Sequence, residues 1–162
     1  MKKRNFRPIG IMPVLLVFAV SLSLTGASYA FAPPTGTVCL EYSFSNVKES
    51  PLITKASITA AGSSYTYSSI QLNPPSGQKP QLGSCTGQMI GANLTLNCYV
   101  SGDDTPAEPY RLSGNGQVTL NCSNPKKVTG NWWLNIIVAD TKTSEITGEY
   151  GYGVVSVIPC PK

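Results

Sequence analysis

The chain has 162 residues, of which 12 are Lys or Arg, 8 are Asp or Glu and none is His. Four of the cations, Lys2, Lys3, Arg4 and Arg7, lie in a basic, apolar leader over residues 1–30, so residues 31–162 hold equal numbers of each sign and are neutral. A neutral domain offers no electrostatic footprint for nucleic acid or anionic lipid, and the lack of histidine excludes Ser-His-Asp and Cys-His catalysis, imidazole-ligated zinc or haem, and a histidine pH switch.

In the leader, Ile9 to Leu24 form an apolar run broken only by Gly10, Pro13 and serines, and small residues lead to Ser28-Tyr29-Ala30. This predicts a secretory signal peptide of bacterial type, cleaved after Ala30 or Ala32, because the run falls short of the ~20 residues a membrane-spanning helix needs. Residues 31–162 are then one domain, secreted or periplasmic, with no stable membrane insertion after cleavage. All five cysteines lie in that part, and an oxidising compartment permits them to pair.

Gly and Pro punctuate the exported part, and between them short runs rich in Val, Ile, Thr, Tyr and Leu alternate with period two. Strands are predicted near 37–45, 53–60, 64–72, 84–90, 93–100, 109–113, 117–122, 131–139 and 145–158. The fold class expected is all-β, a single antiparallel domain. It is either a β-sandwich or an up-and-down β-barrel of about eight to ten short strands.

Tyr42 with Phe44, and Tyr65 with Tyr67, each share one strand face. They fill the core or, if a barrel is hollow, line a cavity for a small apolar ligand. The segment Asn73-Pro74-Pro75-Ser76-Gly77-Gln78-Lys79-Pro80 is a stiff connection that a secreted protease inhibitor could present to its target.

Two segments echo each other, Leu94-Thr95-Leu96-Asn97-Cys98 and Val118-Thr119-Leu120-Asn121-Cys122. If Thr and Asn face water, then Leu94, Leu96, Cys98, Val118, Leu120 and Cys122 face the core. A two-residue loop at Gly91-Ala92 pairs Met89 with Leu94, Gly87 with Leu96, and Cys85 with Cys98, the last at a non-hydrogen-bonded position where side chains approach closely. Cys39 lies in the first strand and Cys160 just past the last. The favoured disulfides are therefore Cys39–Cys160 and Cys85–Cys98 with Cys122 a buried thiol; the competing set joins Cys98 to Cys122 and frees Cys85. Neither sequon asparagine, Asn93 nor Asn121, is expected to be modified.

The acidic run Asp103-Asp104-Thr105-Pro106-Ala107-Glu108 reads as a solvated turn, since it lacks the alternating ligands and distal glutamate of an EF-hand loop. No metal or cofactor is predicted. A glycosidase pair could be drawn from Glu41, Glu145 and Glu149, but any domain with eight acids offers such pairs, so no enzyme is expected. Further on, a three-residue loop at Gly114-Asn115-Gly116 would set Leu112 opposite Val118 and Tyr110 opposite Leu120.

In the last hairpin Trp132, Leu134, Ile136 and Val138 form the inner face. Bringing Ile146, Tyr150 and Tyr152 onto it takes a five-residue loop, Asp140 to Ser144, with Trp132 opposite Tyr152. Trp133 then lies outside over Gly151, with Asn135 opposite Glu149. This is either a carbohydrate platform, in which Trp133 stacks on a sugar while Asn135 and Glu149 bind its hydroxyls, or an aromatic cover for strand glycines. The function expected is a non-enzymatic secreted binding protein for carbohydrate or a cell-surface partner. The alternatives are a protease inhibitor, a barrel for a small apolar ligand, or a structural subunit of a cell-envelope assembly.

Overall fold

A computed structural model describes residues 32–102 and 110–162. The leader and the acidic run lie outside the described residues. Eight strands, β1 (Gly36–Phe44), β2 (Leu52–Ala61), β3 (Ser64–Gln71), β4 (Leu82–Ile90), β5 (Asn93–Gly102), β6 (Tyr110–Asn121), β7 (Thr129–Asp140) and β8 (Ile146–Ile158), pair antiparallel in chain order. β8 closes on β1, from Cys39 opposite Ile158 to Phe44 opposite Gly153, so the fold is a closed up-and-down barrel.

Alternation along the strands sorts the side chains. Leu40, Ile58, Leu94, Leu96, Leu120 and Val155 face inward and are fully buried, packed with Tyr42, Ala56, Tyr67, Val118, Cys122 and Trp132 into one core. The outer face of β3–β6 carries many Ser, Thr, Asn and Gln side chains, among them Thr66, Thr86, Thr95, Asn97, Asn115 and Gln117, beside exposed Ile70, Leu82, Ile90 and Tyr99.

Both expected disulfides are present. Cys39–Cys160 joins the first strand to the segment after the last, and Cys85–Cys98 bridges directly opposed residues of the β4–β5 hairpin. Cys122 is a free, buried thiol. The Gly91-Ala92 loop sets the expected register, with Met89 opposite Leu94 and Gly87 opposite Leu96, and Gly91 takes a left-handed φ of 60°.

Two sequence expectations are corrected. Gly114-Asn115-Gly116 is not a turn: residues 110–121 form a single strand, β6, and the two glycines lie inside the barrel. A Cβ on Gly116 would sit 2.0 Å from the Trp133 carbonyl oxygen, and one on Gly114 2.5 Å from that of Asn135. Glycine therefore lets a coiled wall close where neighbouring strands approach most tightly.

The second correction is a one-residue slip in the last hairpin. Ala139 pairs with Ile146, Trp132 with Gly153 and Trp133 with Tyr152. Asp140 N–H donates to Glu145 O at 2.9 Å, so Asp140 stays in the ladder and the loop holds only residues 141–144. The Asp140 carboxylate accepts from the N–H groups of Lys142 and Thr143, and Ser144 takes a φ of 60° to complete the turn. A slip of one residue reverses every side chain. It places Gly151 and Gly153 inside and Ile146, Tyr150 and Tyr152 outside. The inner positions accept nothing larger, because a Cβ on Gly153 would lie 1.8 Å from Ser43 O and one on Gly151 would meet the Trp132 ring at 3.1 Å.

Candidate functional site on the outer wall

The exposed aromatic residues gather where β5 to β8 turn their outer face to water. Two rows of directly opposed residues cross these strands. One runs Asn97, Gln117, Trp133, Tyr152 and the next runs Tyr99, Asn115, Asn135, Tyr150. Relative exposures are 37% for Trp133, 44% for Tyr152, 54% for Tyr150 and 53% for Tyr99. Three inter-strand spacings make the patch about 14 Å wide.

Each position follows from local chemistry. Trp133 and Asn135 alternate with the inward Trp132 and Leu134, so packing Trp132 inside obliges Trp133 to point out. Trp132 is held there by its indole N–H, which donates to Ser43 O at 3.2 Å, and by edge-on contacts with Tyr42 and Phe44. Tyr150 and Tyr152 are outside for the converse reason, because the glycines between and after them are required within. Their ring centroids lie 5.7 Å apart at 34°. Beneath them the backbone is fixed by one side chain: Asn46 Nδ2 donates to Tyr150 O at 2.7 Å and Tyr152 N–H donates to Asn46 Oδ1 at 3.3 Å.

The wall is nearly free of charge. The outward positions of β3 through β8 carry one charged residue, Arg111, among the described residues. Beside the aromatic pair runs a shallow open groove lined by Thr66, Thr86, Gln88, Thr95, Asn97 and Gln117, with Tyr65 and Ile90 adding apolar surface. Gln117 Nε2 donates to Asn97 Oδ1 at 3.2 Å, and Gln117 is directly opposite Trp133, so groove and platform are continuous.

Of the three residues singled out in the sequence, the structure brings Trp133 and Asn135 together and leaves Glu149 apart. Glu149 pairs with Ile136, on the register that faces the barrel axis, at the end of the barrel where β7 and β8 meet. Nor does Trp133 lie over glycine, since its direct neighbours are Gln117 and Tyr152; the ring that covers a glycine is Trp132, from inside, over Gly151. Tyr152, Tyr150, Tyr99, Asn115 and Gln117 were missed. The signal available for two of them was the Tyr-Gly-Tyr-Gly run itself, in which the glycines mark the crowded face.

The arrangement can stack a flat apolar surface on Trp133 and Tyr152 and offer amides and hydroxyls beside it, without ionic recognition. No family model, curated protein or solved structure matches the chain. The disulfides mark a protein of an oxidising compartment.

Proposed function

We propose that this barrel is a non-enzymatic binding protein, exported by its leader, that recognises an uncharged carbohydrate of a cell surface or wall through its outer face. The observation that carries the reading is the pairing of Trp133 with Tyr152 on a wall whose outward positions on β3–β8 carry one charge, Arg111, among the described residues, beside a groove that offers amides and hydroxyls. Sugars present just these two requirements, an apolar ring face for stacking and a ring of hydroxyls for neutral donors and acceptors. Asn135 and Asn115 lie directly opposite one another next to the stacking rings, and Asn135 retains the role expected from the sequence, whereas Glu149 does not take part.

The test is a titration of residues 31–162 with a panel of neutral cell-wall and host polysaccharides, followed by tryptophan fluorescence and calorimetry. A saturable signal is expected from at least one of them, weakened about tenfold or more in Trp133→Ala and in Tyr152→Ala, as for aromatic anchors at a binding centre. A Trp133→Ala protein that folds and keeps its affinity would remove the assignment.

A further inference from the structure

The large exposed apolar side chains are unevenly spread around the barrel. Among the described residues half of them, Trp133, Ile137, Ile146, Tyr150, Tyr152 and Val154, stand on the two neighbouring strands β7 and β8. The outward register sets them in rows two residues apart: Asn131 opposite Val154, Trp133 opposite Tyr152, Asn135 opposite Tyr150 and Ile137 opposite Gly148. Along β7 the exposed amides of Asn131 and Asn135 therefore flank Trp133, while along β8 Val154, Tyr152 and Tyr150 form an unbroken apolar line. Gly148 continues that line without a side chain, and a Cβ there would meet nothing within 4 Å.

Curvature decides which way a ligand can use this ridge. Eight strands complete the circle, so the outward direction turns by about an eighth of a circle from one strand to the next. Tyr99 on β5 lies three strands from Tyr150 in the same row and faces a different side of the barrel. Along a single strand, by contrast, outward side chains stay on one side, about 7 Å apart. The rings of Tyr150 and Tyr152 lean together to a centroid separation of 5.7 Å at 34°, so consecutive flat rings of one ligand can each meet a tyrosine. From Gly148 to Val154 the line runs about 20 Å, which is room for about four sugar rings end to end.

We propose that the ligand of the outer wall is a linear, neutral, β-1,4-linked glycan that lies along β7 and β8, its consecutive rings on Tyr150 and Tyr152 with Trp133 beside them and its edge hydroxyls toward Asn131 and Asn135. The inference rests on the carbohydrate reading above and adds linkage, length and direction to it. In a β-1,4-linked chain of glucose or N-acetylglucosamine the linkages and ring substituents are equatorial. The chain is then a straight ribbon with C–H groups on its faces for stacking and hydroxyls along its edges for amides. An α-1,4-linked chain of the same glucose coils and leaves a straight ridge after one or two rings.

The experiment is calorimetry of residues 31–162 with β-1,4-linked oligomers of glucose and of N-acetylglucosamine, one to six residues long, and with α-1,4-linked oligomers of glucose for comparison. At least one β-1,4 series should gain about tenfold or more in affinity between the dimer and the tetramer and then level off, with the α-1,4 series about tenfold or more weaker at equal length. Tyr150→Ala should lower affinity for the tetramer about tenfold and leave the dimer unchanged, because the dimer fits on Trp133 and Tyr152 alone. Tyr150→Phe should restore the tetramer, since the ring carries the contact. Tyr99→Ala should change nothing. Binding that depends on Trp133 but is indifferent to chain length, to linkage or to Tyr150→Ala, or that is lost in Tyr99→Ala, overturns this inference and leaves the carbohydrate reading standing. Absence of binding by these oligomers and by every polysaccharide of the earlier panel overturns both.

Discussion

Two buried titratable groups set how this barrel responds to base. Burial raises the Cys122 thiol above its ordinary value, outweighing an opposing backbone hydrogen bond from Leu94, and burial raises the Tyr42 phenol well above its own, reinforced by Tyr67. In both, the folded chain holds its proton more tightly than the unfolded chain. The stability they contribute is therefore fully present below the unfolded pKa and is lost as pH rises through the folded one. Denaturation midpoints measured against pH should begin to fall near the ordinary thiol value of about 8.5. Cys122→Ala should flatten that first decline and keep the second, which begins near the phenol value of about 10. An unchanged profile in Cys122→Ala would show that the thiol is not its source. Asp140 acts in the opposite sense: the N–H groups of Thr143 and Lys142 hold its exposed carboxyl below the usual range, so their stabilisation of the turn is present above the ordinary carboxylate range and is lost as pH falls from there through the lowered value.

The strands close into a cylinder because glycine is placed where neighbours approach. Gly116→Ala should cost about 3 kcal/mol or more, since β6 and β7 must separate to admit a methyl group otherwise 2.0 Å from the Trp133 carbonyl. Gly148→Ala, on the outer side of β8 with nothing within 4 Å, should change stability by less than about 1 kcal/mol in urea denaturation. The same contrast explains what could be read in advance. The β4–β5 hairpin was legible down to its disulfide, because a glycine loop and the alternation Leu94, Leu96, Cys98 point to one register. β6 was not, because Gly-Asn-Gly is a turn signal wherever neighbouring strands are invisible. β8 was misplaced by one residue because tyrosines were assigned inward for their apolar rings, while the space they would need was already taken by Trp132 and by the backbone of β1. That Trp133 and Asn135 face outward follows from alternation alone. Their partners Tyr152 and Gln117 depend on loop length and on strand neighbours, which local pattern does not encode.

For the molecule as a whole, the two disulfides differ in reach. Cys85–Cys98 spans a sequence separation of 13 and Cys39–Cys160 one of 121. In the loop-entropy picture Cys39→Ala with Cys160→Ala should lose about 4 to 5 kcal/mol, and Cys85→Ala with Cys98→Ala about 3. Equilibrium denaturation of the two double variants checks the order; equal losses would show that native strain or residual structure outweighs chain entropy. The longer bridge also joins the strand that opens the barrel to the segment that follows the strand that closes it, so all eight strands, apart from the first three residues of β1, lie within one covalent ring. A pull applied through the segments outside Cys39 and Cys160 is carried by the sulfur–sulfur bond. It never reaches the seam of hydrogen bonds between β1 and β8, and the barrel cannot be unzipped from its ends until that bond is reduced.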